Sequence, residues 1–165
     1  MGQYFHIVNP KTKECVKPHD YNNGTKLMEF SYVGNYVMNA VTTLLRKQWK
    51  NQRIVFSGDY ADEDYYETCN KNLHIKEFDS DYRYFINLDK KEYFDITKCK
   101  QDEWRYIIHP LAILLANSNS QGGGDYYGVN KDLAGEWVND RISCSNHRPK
   151  KNRGYLEIIP NFEEK

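Results

Sequence analysis

The stretch WKNQRIVFSGDYAD, residues 49–62, reads as three things in succession: a helix exit, a short buried strand and a Gly-Asp turn bearing two carboxylates. Ile54, Val55 and Phe56 are the β-branched and aromatic residues that suit a pleated, covered surface. Gly58-Asp59 supplies the turn chemistry that stops them. A weaker copy, WVNDRISCSNH, occupies residues 137–147. Laid on each other at an offset of 88, residues 49–57 and 137–145 share Trp, Asn, Arg, Ile and Ser.

A second match lies upstream of each copy. At an offset of 78, residues 4–16 fall on residues 82–94, with Tyr4/Tyr82, Asn9/Asn87, Lys13/Lys91 and Glu14/Glu92 identical. Ile7/Phe85 and Val8/Ile86 keep their apolar character. Each pair of matches brackets one apolar helix. In the first, Tyr36, Val37, Ala40, Val41, Leu44 and Leu45 recur at helical spacing, with Ser31 or Asn35 as candidate cap. In the second, His109-Pro110-Leu111-Ala112-Ile113-Leu114-Leu115-Ala116 places Pro110 in a favourable first turn.

Both halves, about residues 3–62 and 82–148, therefore read hairpin, helix, strand. The expected fold is α+β in one domain spanning residues 1–165, with a mostly antiparallel sheet and two main helices. A ββαβ unit used twice about a pseudo-two-fold axis accounts for the matches, and chance likeness between hairpins is the competing account. Outside the matches, residues 73–78 suggest an edge strand and residues 104–108 a strand or turn. The Gly- and Asn-rich run 117–128 is irregular. Residues 137–145 read as a strand, and residues 154–159 as a last strand that Pro160 stops.

Composition narrows the function classes. Lys plus Arg equals Asp plus Glu at 23 each, so no global field draws nucleic acid or an anionic membrane. The basic run 148–153 is a local exception, read as a solvated loop ahead of the alternative, a phosphate track. The 14 tyrosines suit half-buried strands and also recognition surfaces. Cys15, Cys69, Cys99 and Cys144 show no C-x-x-C pair and no His at zinc-finger spacing, so free thiols in a reducing compartment are expected. MGQYFHIVN lacks the basic-then-apolar order of a signal peptide, and no apolar run approaches spanning length. These features together predict a soluble, cytoplasmic protein with no membrane partner.

Candidate chemistry concentrates in three places. Gly122-Gly123-Gly124-Asp125 can turn backbone N–H groups into a concavity for an anion. Tyr126 and Tyr127 follow it as potential stacking platforms for a planar ligand. Neither a Walker loop nor a dinucleotide fingerprint is present. Asp59, Asp62, Glu63 and Asp64 form a carboxylate cluster beside Tyr60. With Asp125 and His109 they could hold a divalent metal that activates water, although a solvated acidic loop is the simpler account. Arg53 and Arg141 occupy matched positions, each able to tie a strand end to a carboxylate such as Asp140 or Asp59. His109, before Pro110, is a helix cap or an acid-base group. No nucleophile elbow appears, and Cys144 has no evident His partner.

The combination of GDYAD after a strand, an HPL helix leading into GGGDYYG, and a downstream W-x-x-D-R-I resembles a family of small uncharacterised single-domain proteins. The resemblance spans nearly the whole chain, implies a single-domain unit and transfers no catalytic residue. Three functions follow from the residues. The leading one is a binding protein for a small anionic, nucleotide-like ligand, in a pocket between the halves lined by the glycine loop, the 58–62 turn and the matched arginines. The second is a metal-dependent phosphoester hydrolase with Asp59, Asp62 and Asp125 as ligands and His109 as acid or base. The third is a protein-interaction module that uses its tyrosines.

Overall fold

Two sheets, mostly antiparallel, carry the α+β fold in the computed structural model, which describes residues 2–63 and 65–164. The strands are β1 (Phe5–Asn9), β2 (Glu14–Val16), β3 (Gln52–Arg53), β4 (Val55–Gly58), β5 (Lys71–Asn72), β6 (Tyr84–Asn87), β7 (Glu92–Asp95), β8 (Arg141–Ser145) and β9 (Leu156–Glu157). The helices are α1 (Leu27–Phe30), α2 (Tyr36–Leu45) and α3 (Pro110–Leu114). One sheet has the order β4-β1-β2-β5 and the other β3-β8-β6-β7-β9.

The two sheets share a connectivity. In each, a hairpin (β1–β2 or β6–β7) is flanked by an antiparallel strand after the helix (β4 or β8) and by a short parallel strand (β5 or β9). The likeness reaches individual hydrogen bonds. Asn9 Oδ1 accepts the N–H groups of Lys11 and Thr12, and Asn87 Oδ1 those of Asp89 and Lys90. The two turns then close at Lys13 and Lys91, with φ of 61° and 54°. Trp49 Nε1 donates to Glu14 Oε1 at 3.1 Å, and Trp137 Nε1 to Glu92 Oε1 at 3.0 Å.

Strand alternation sorts the side chains into an inner and an outer set. Phe5, Ile7, Phe56, Phe85, Phe94, Ile142 and Cys144 join α2, α3 and both fully buried tryptophans in the main core. The opposite faces form separate clusters: Val8, Cys15 and Val55 on the first sheet, Tyr84, Ile86 and Tyr93 on the second. Asn35 caps α2 by accepting the Val37 N–H at 2.8 Å. The halves interlock at their helix ends. Arg46, just past α2, donates Nη1 to the Cys144 carbonyl in β8 at 2.8 Å. In return, Phe56 of β4 donates its N–H to the Leu115 carbonyl past α3 at 3.0 Å.

Several expectations need correction. Cys15 and Cys69 form a disulfide, leaving Cys99 and Cys144 as the free thiols. The thiol argument for a reducing compartment, and so for the cytoplasm, loses half its residues. The paired segment near the expected edge strand is Lys71–Asn72, parallel to β2, rather than residues 73–78. Trp137, like Trp49, sits in a turn, and β8 begins only at Arg141. Among the described residues, no helix is long and apolar enough to cross a membrane.

Candidate functional site

The glycine loop and the 58–62 turn do meet, and Gln3 joins them. Gln3 Nε2 donates to Asp125 Oδ2 at 2.8 Å, while Gln3 Oε1 accepts the Tyr60 N–H at 3.2 Å. Asp59 accepts the Tyr4 N–H and returns its own N–H to the Tyr4 carbonyl. The junction is sealed, because Gln3 is fully buried and Asp125 nearly so. Sequence reasoning missed Gln3, which sits in an apolar-looking strand start with no local sign of a partner far along the chain.

This geometry revises the anion nest. The N–H groups of Gln121 and Gly122 already point at an anion, the chain's own Asp125 carboxylate, at 2.9 and 3.1 Å. The glycines are required by close approach: a Cβ on Gly122 would stand 2.8 Å from the Gln3 backbone nitrogen, and Gly124 has φ +81° with Lys26 against it. Gly123 lends its carbonyl to the Gln3 N–H. Tyr126 is wholly buried, with its hydroxyl donating to the Val129 carbonyl, so it offers no stacking face. Tyr127 stays half-exposed, its hydroxyl bound to the Gly122 carbonyl at 2.8 Å.

The proposed metal and acid-base groups do not assemble either. Among the described residues, no group of three or more His, Cys, Asp or Glu is placed to hold a metal ion. Asp62 is exposed, and Asp64 lies outside the described residues. His109 caps α3, its Nδ1 accepting the Leu111 N–H at 3.2 Å, with Phe85 edge-on at 4.7 Å. Burial pushes its pKa down to about 3, so the ring is neutral and has no exposed proton to exchange. Arg53 and Arg141 are cross-strand partners rather than a clamp around the glycine loop. Arg141 binds Asp89, not Asp140 or Asp59, and Arg53 donates to the Asn139 carbonyl.

One pocket lies at the outer face of the second sheet. Tyr84 and Tyr93 stand there because Phe85 and Phe94 take the inward positions, and their rings meet edge-on at 5.9 Å. β9 pairs alongside β7 and brings Tyr155 and Leu156 to the rim. The loop after β8 folds back over this face, held where Asn146 Oδ1 accepts the Arg83 N–H at 3.0 Å. Gly154, at φ 87°, ends the loop. The result is a pocket of about 370 Å³ lined by Tyr93, Arg148, Pro149, Lys151, Tyr155 and Glu157 among others.

Charge pairing leaves this pocket cationic. Arg83 is neutralised by a two-pronged bond to Asp95. Burial would raise the Asp95 pKa, but Arg83 and Thr97 outweigh it and hold that carboxyl at about 2. Glu157 is taken by Lys98 at 2.6 Å. Arg148 lies over the Tyr84 ring at 5.9 Å, and neither it nor Lys151 has an ion-pair partner among the described residues. In the first sheet the matching face is closed: Cys15, which takes the register position of Tyr93, is bonded to Cys69, and Tyr66 stacks on His6 at 3.9 Å. The run 148–153 was legible as basic. The tyrosine face beneath it was not, because outward and inward aromatics alternate in β6 and β7 and blur the pattern.

No protein-family model, curated protein or solved structure matches the chain.

Proposed function

We propose that the protein is a binding protein for a small planar anion, nucleotide-like in chemistry, held on the outer face of the second sheet. One observation carries this reading: Arg148 and Lys151, two cations without a carboxylate partner among the described residues, share a pocket of about 370 Å³ with Tyr93 and Tyr155. A guanidinium offers a planar fork to a phosphate or carboxylate. Tyr155, the partly exposed ring of the pocket, offers a face to a base or similar ring beside the buried Tyr84–Tyr93 pair. The volume falls in the usual range for small-ligand sites. We also take the two units to be a duplicated ββαβ pair, supported by their common register and their matched Trp–Glu bonds. On that view the halves diverged at their outer faces, one closed by a stapled loop and one left open.

Calorimetric titration with adenosine monophosphate, adenosine and inorganic phosphate tests the reading. The monophosphate should bind more tightly than either fragment, and Arg148→Ala should weaken it by roughly tenfold or more. Failure of all three probes to bind, or an Arg148→Ala variant that binds like the parent, would overturn it.

A further inference from the structure

A second surface lies apart from the Arg148 pocket and has the opposite charge. The segment between α1 and α2 runs beside residues 106–109: the Val33 N–H donates to the Ile107 carbonyl at 2.8 Å, and the His109 N–H to the Ser31 carbonyl at 2.9 Å. Just before it, Asp102 ties a tight turn by accepting the N–H groups of Trp104 and Tyr106 at 2.9 and 2.7 Å. With its carboxylate so engaged, the turn holds both aromatic side chains out to solvent. Trp104 is 72% exposed and Tyr106 59%, values far above those of a ring that packs the core.

These rings belong to a wider patch. Tyr32 and Tyr106 meet at 5.7 Å, and Tyr36 stacks on Phe78 at 5.6 Å, with Val33 exposed between them in sequence. Clustered exposed aromatics of this kind mark interaction sites rather than ordinary surface. Two grooves flank the 102–106 turn. One, of about 510 Å³, is lined by Glu29, Tyr32, Val33, Gly34, Asn35 and Tyr106. The other, of about 430 Å³, has Trp104 on one side and the carboxylates of Asp102, Glu103, Glu163 and Glu164 around it.

The acidic rim is positioned by buried contacts. Tyr126 pins the C-terminal segment by accepting the Glu163 N–H at 2.9 Å, and Phe162 packs edge-on against the same ring at 5.5 Å. Glu163 and Glu164 are thereby held facing the turn. Two cations share the area, Arg105 on the turn and Lys100, whose Nζ is 3.8 Å from Glu163 Oε1 in an exposed pair. Such a long exposed pair is weak and readily exchanged. Carboxylates therefore outnumber bases, and they surround an indole and tyrosine faces.

We propose that this aromatic surface docks a basic segment of a partner protein, with an arginine or lysine side chain seated between Trp104 and the Glu103/Glu164 carboxylates. An alkylammonium or guanidinium gains there both from the ring face and from unneutralised carboxylates. The aliphatic stem of the same side chain would cover apolar ring surface.

Trp104 provides the readout, since Trp49 and Trp137 are fully buried and only Trp104 meets solvent. Nona-arginine is titrated against the full chain, and protection of tryptophan fluorescence from acrylamide is followed, with nona-glutamate as control. Saturable protection by nona-arginine alone is expected. Glu103→Gln combined with Glu164→Gln should weaken it by about tenfold, whereas Asp62→Asn combined with Glu63→Gln, on the other acidic loop, should change it little. Trp104→Ala, followed by calorimetry, should lose about fivefold or more. Absence of saturable protection, equal losses from both neutralised pairs, or unchanged binding by Trp104→Ala would overturn the proposal. So would sedimentation showing that the chain self-associates through Trp104 without the peptide. None of these variants touches Arg148 or Lys151, so this result stands or falls separately from the small-anion site.

Discussion

Arg53 stands directly opposite Arg141 in the antiparallel β3–β8 pairing. The two are also counterparts in the sequence match that carries residues 49–57 onto 137–145. A residue that pairs with its own counterpart across antiparallel strands lies where a two-fold axis between two such units would pass. Like charges facing each other are unfavourable. Asp89 relieves this one by receiving Nε and Nη2 of Arg141 at 2.9 and 2.8 Å. The side chains of the matched arginines are committed elsewhere, Arg53 to the Asn139 carbonyl and Arg141 to Asp89.

The two Trp–Glu bonds should be energetically matched. Trp49→Phe and Trp137→Phe each remove one N–H donor from a carboxylate and shrink a fully buried ring. Each should cost about 2–3 kcal/mol in urea-induced unfolding. Losses that differ by more than about 1 kcal/mol would show that the halves use the pair differently.

The Cys15–Cys69 bond joins residues separated by 54 positions and holds the acidic, tyrosine-rich loop over the first sheet. Under non-reducing denaturation, two of the four cysteines, Cys99 and Cys144, should take up alkylating agent. Cys15→Ser with Cys69→Ser should lower stability by about 4 kcal/mol in the chain-entropy account. Labelling of all four thiols before reduction would refute the bond.

The Gln3 junction should be sensitive to small changes. Gln3→Ala leaves the buried Asp125 carboxylate short of one donor and the Tyr60 N–H short of its acceptor, at a cost of about 1–3 kcal/mol. Gly122→Ala forces a methyl group against the Gln3 backbone and the Tyr60 ring and should cost a similar amount. Thermal denaturation of both variants reads this directly, and a melting temperature equal to the parent's would rule the junction out as a structural clasp.

Stability should fall as the solution is acidified from near neutrality. The unfolded chain takes up a proton on His109 near pH 6.5, whereas the folded chain refuses it until about pH 3 because the ring is buried. Between those values this one residue should remove about 1.4 kcal/mol per pH unit. His6, pushed down to about 4 mainly by burial, adds to the slope in the same direction and range. Asp95 acts lower: held at about 2 in the fold, its contribution disappears only as pH drops below the usual carboxylate range. His109→Asn keeps an acceptor for the Leu111 N–H but cannot titrate, so its stability should vary less steeply between pH 6 and pH 4. An unaltered slope would place the protonation elsewhere.

What the sequence alone determined is what acts over a few residues. Apolar spacing and the Asn35 cap specify α2. Asn-led turns specify both hairpins, because Asn9 and Asn87 bond backbone groups two and three positions on. The like order of elements in the two halves was legible for the same reason. Only the tertiary structure decided the rest. Cys15 finds Cys69, Gln3 finds Asp125, and the Asp125 carboxylate fills the glycine loop that local chemistry had offered to a ligand. His109 is silenced by burial, and Tyr126 turns inward while Trp104 and Tyr106 turn outward. Each of these outcomes depends on which distant surface covers a residue. A chain encodes that through the summed packing of both sheets, so no neighbouring residues carry its mark.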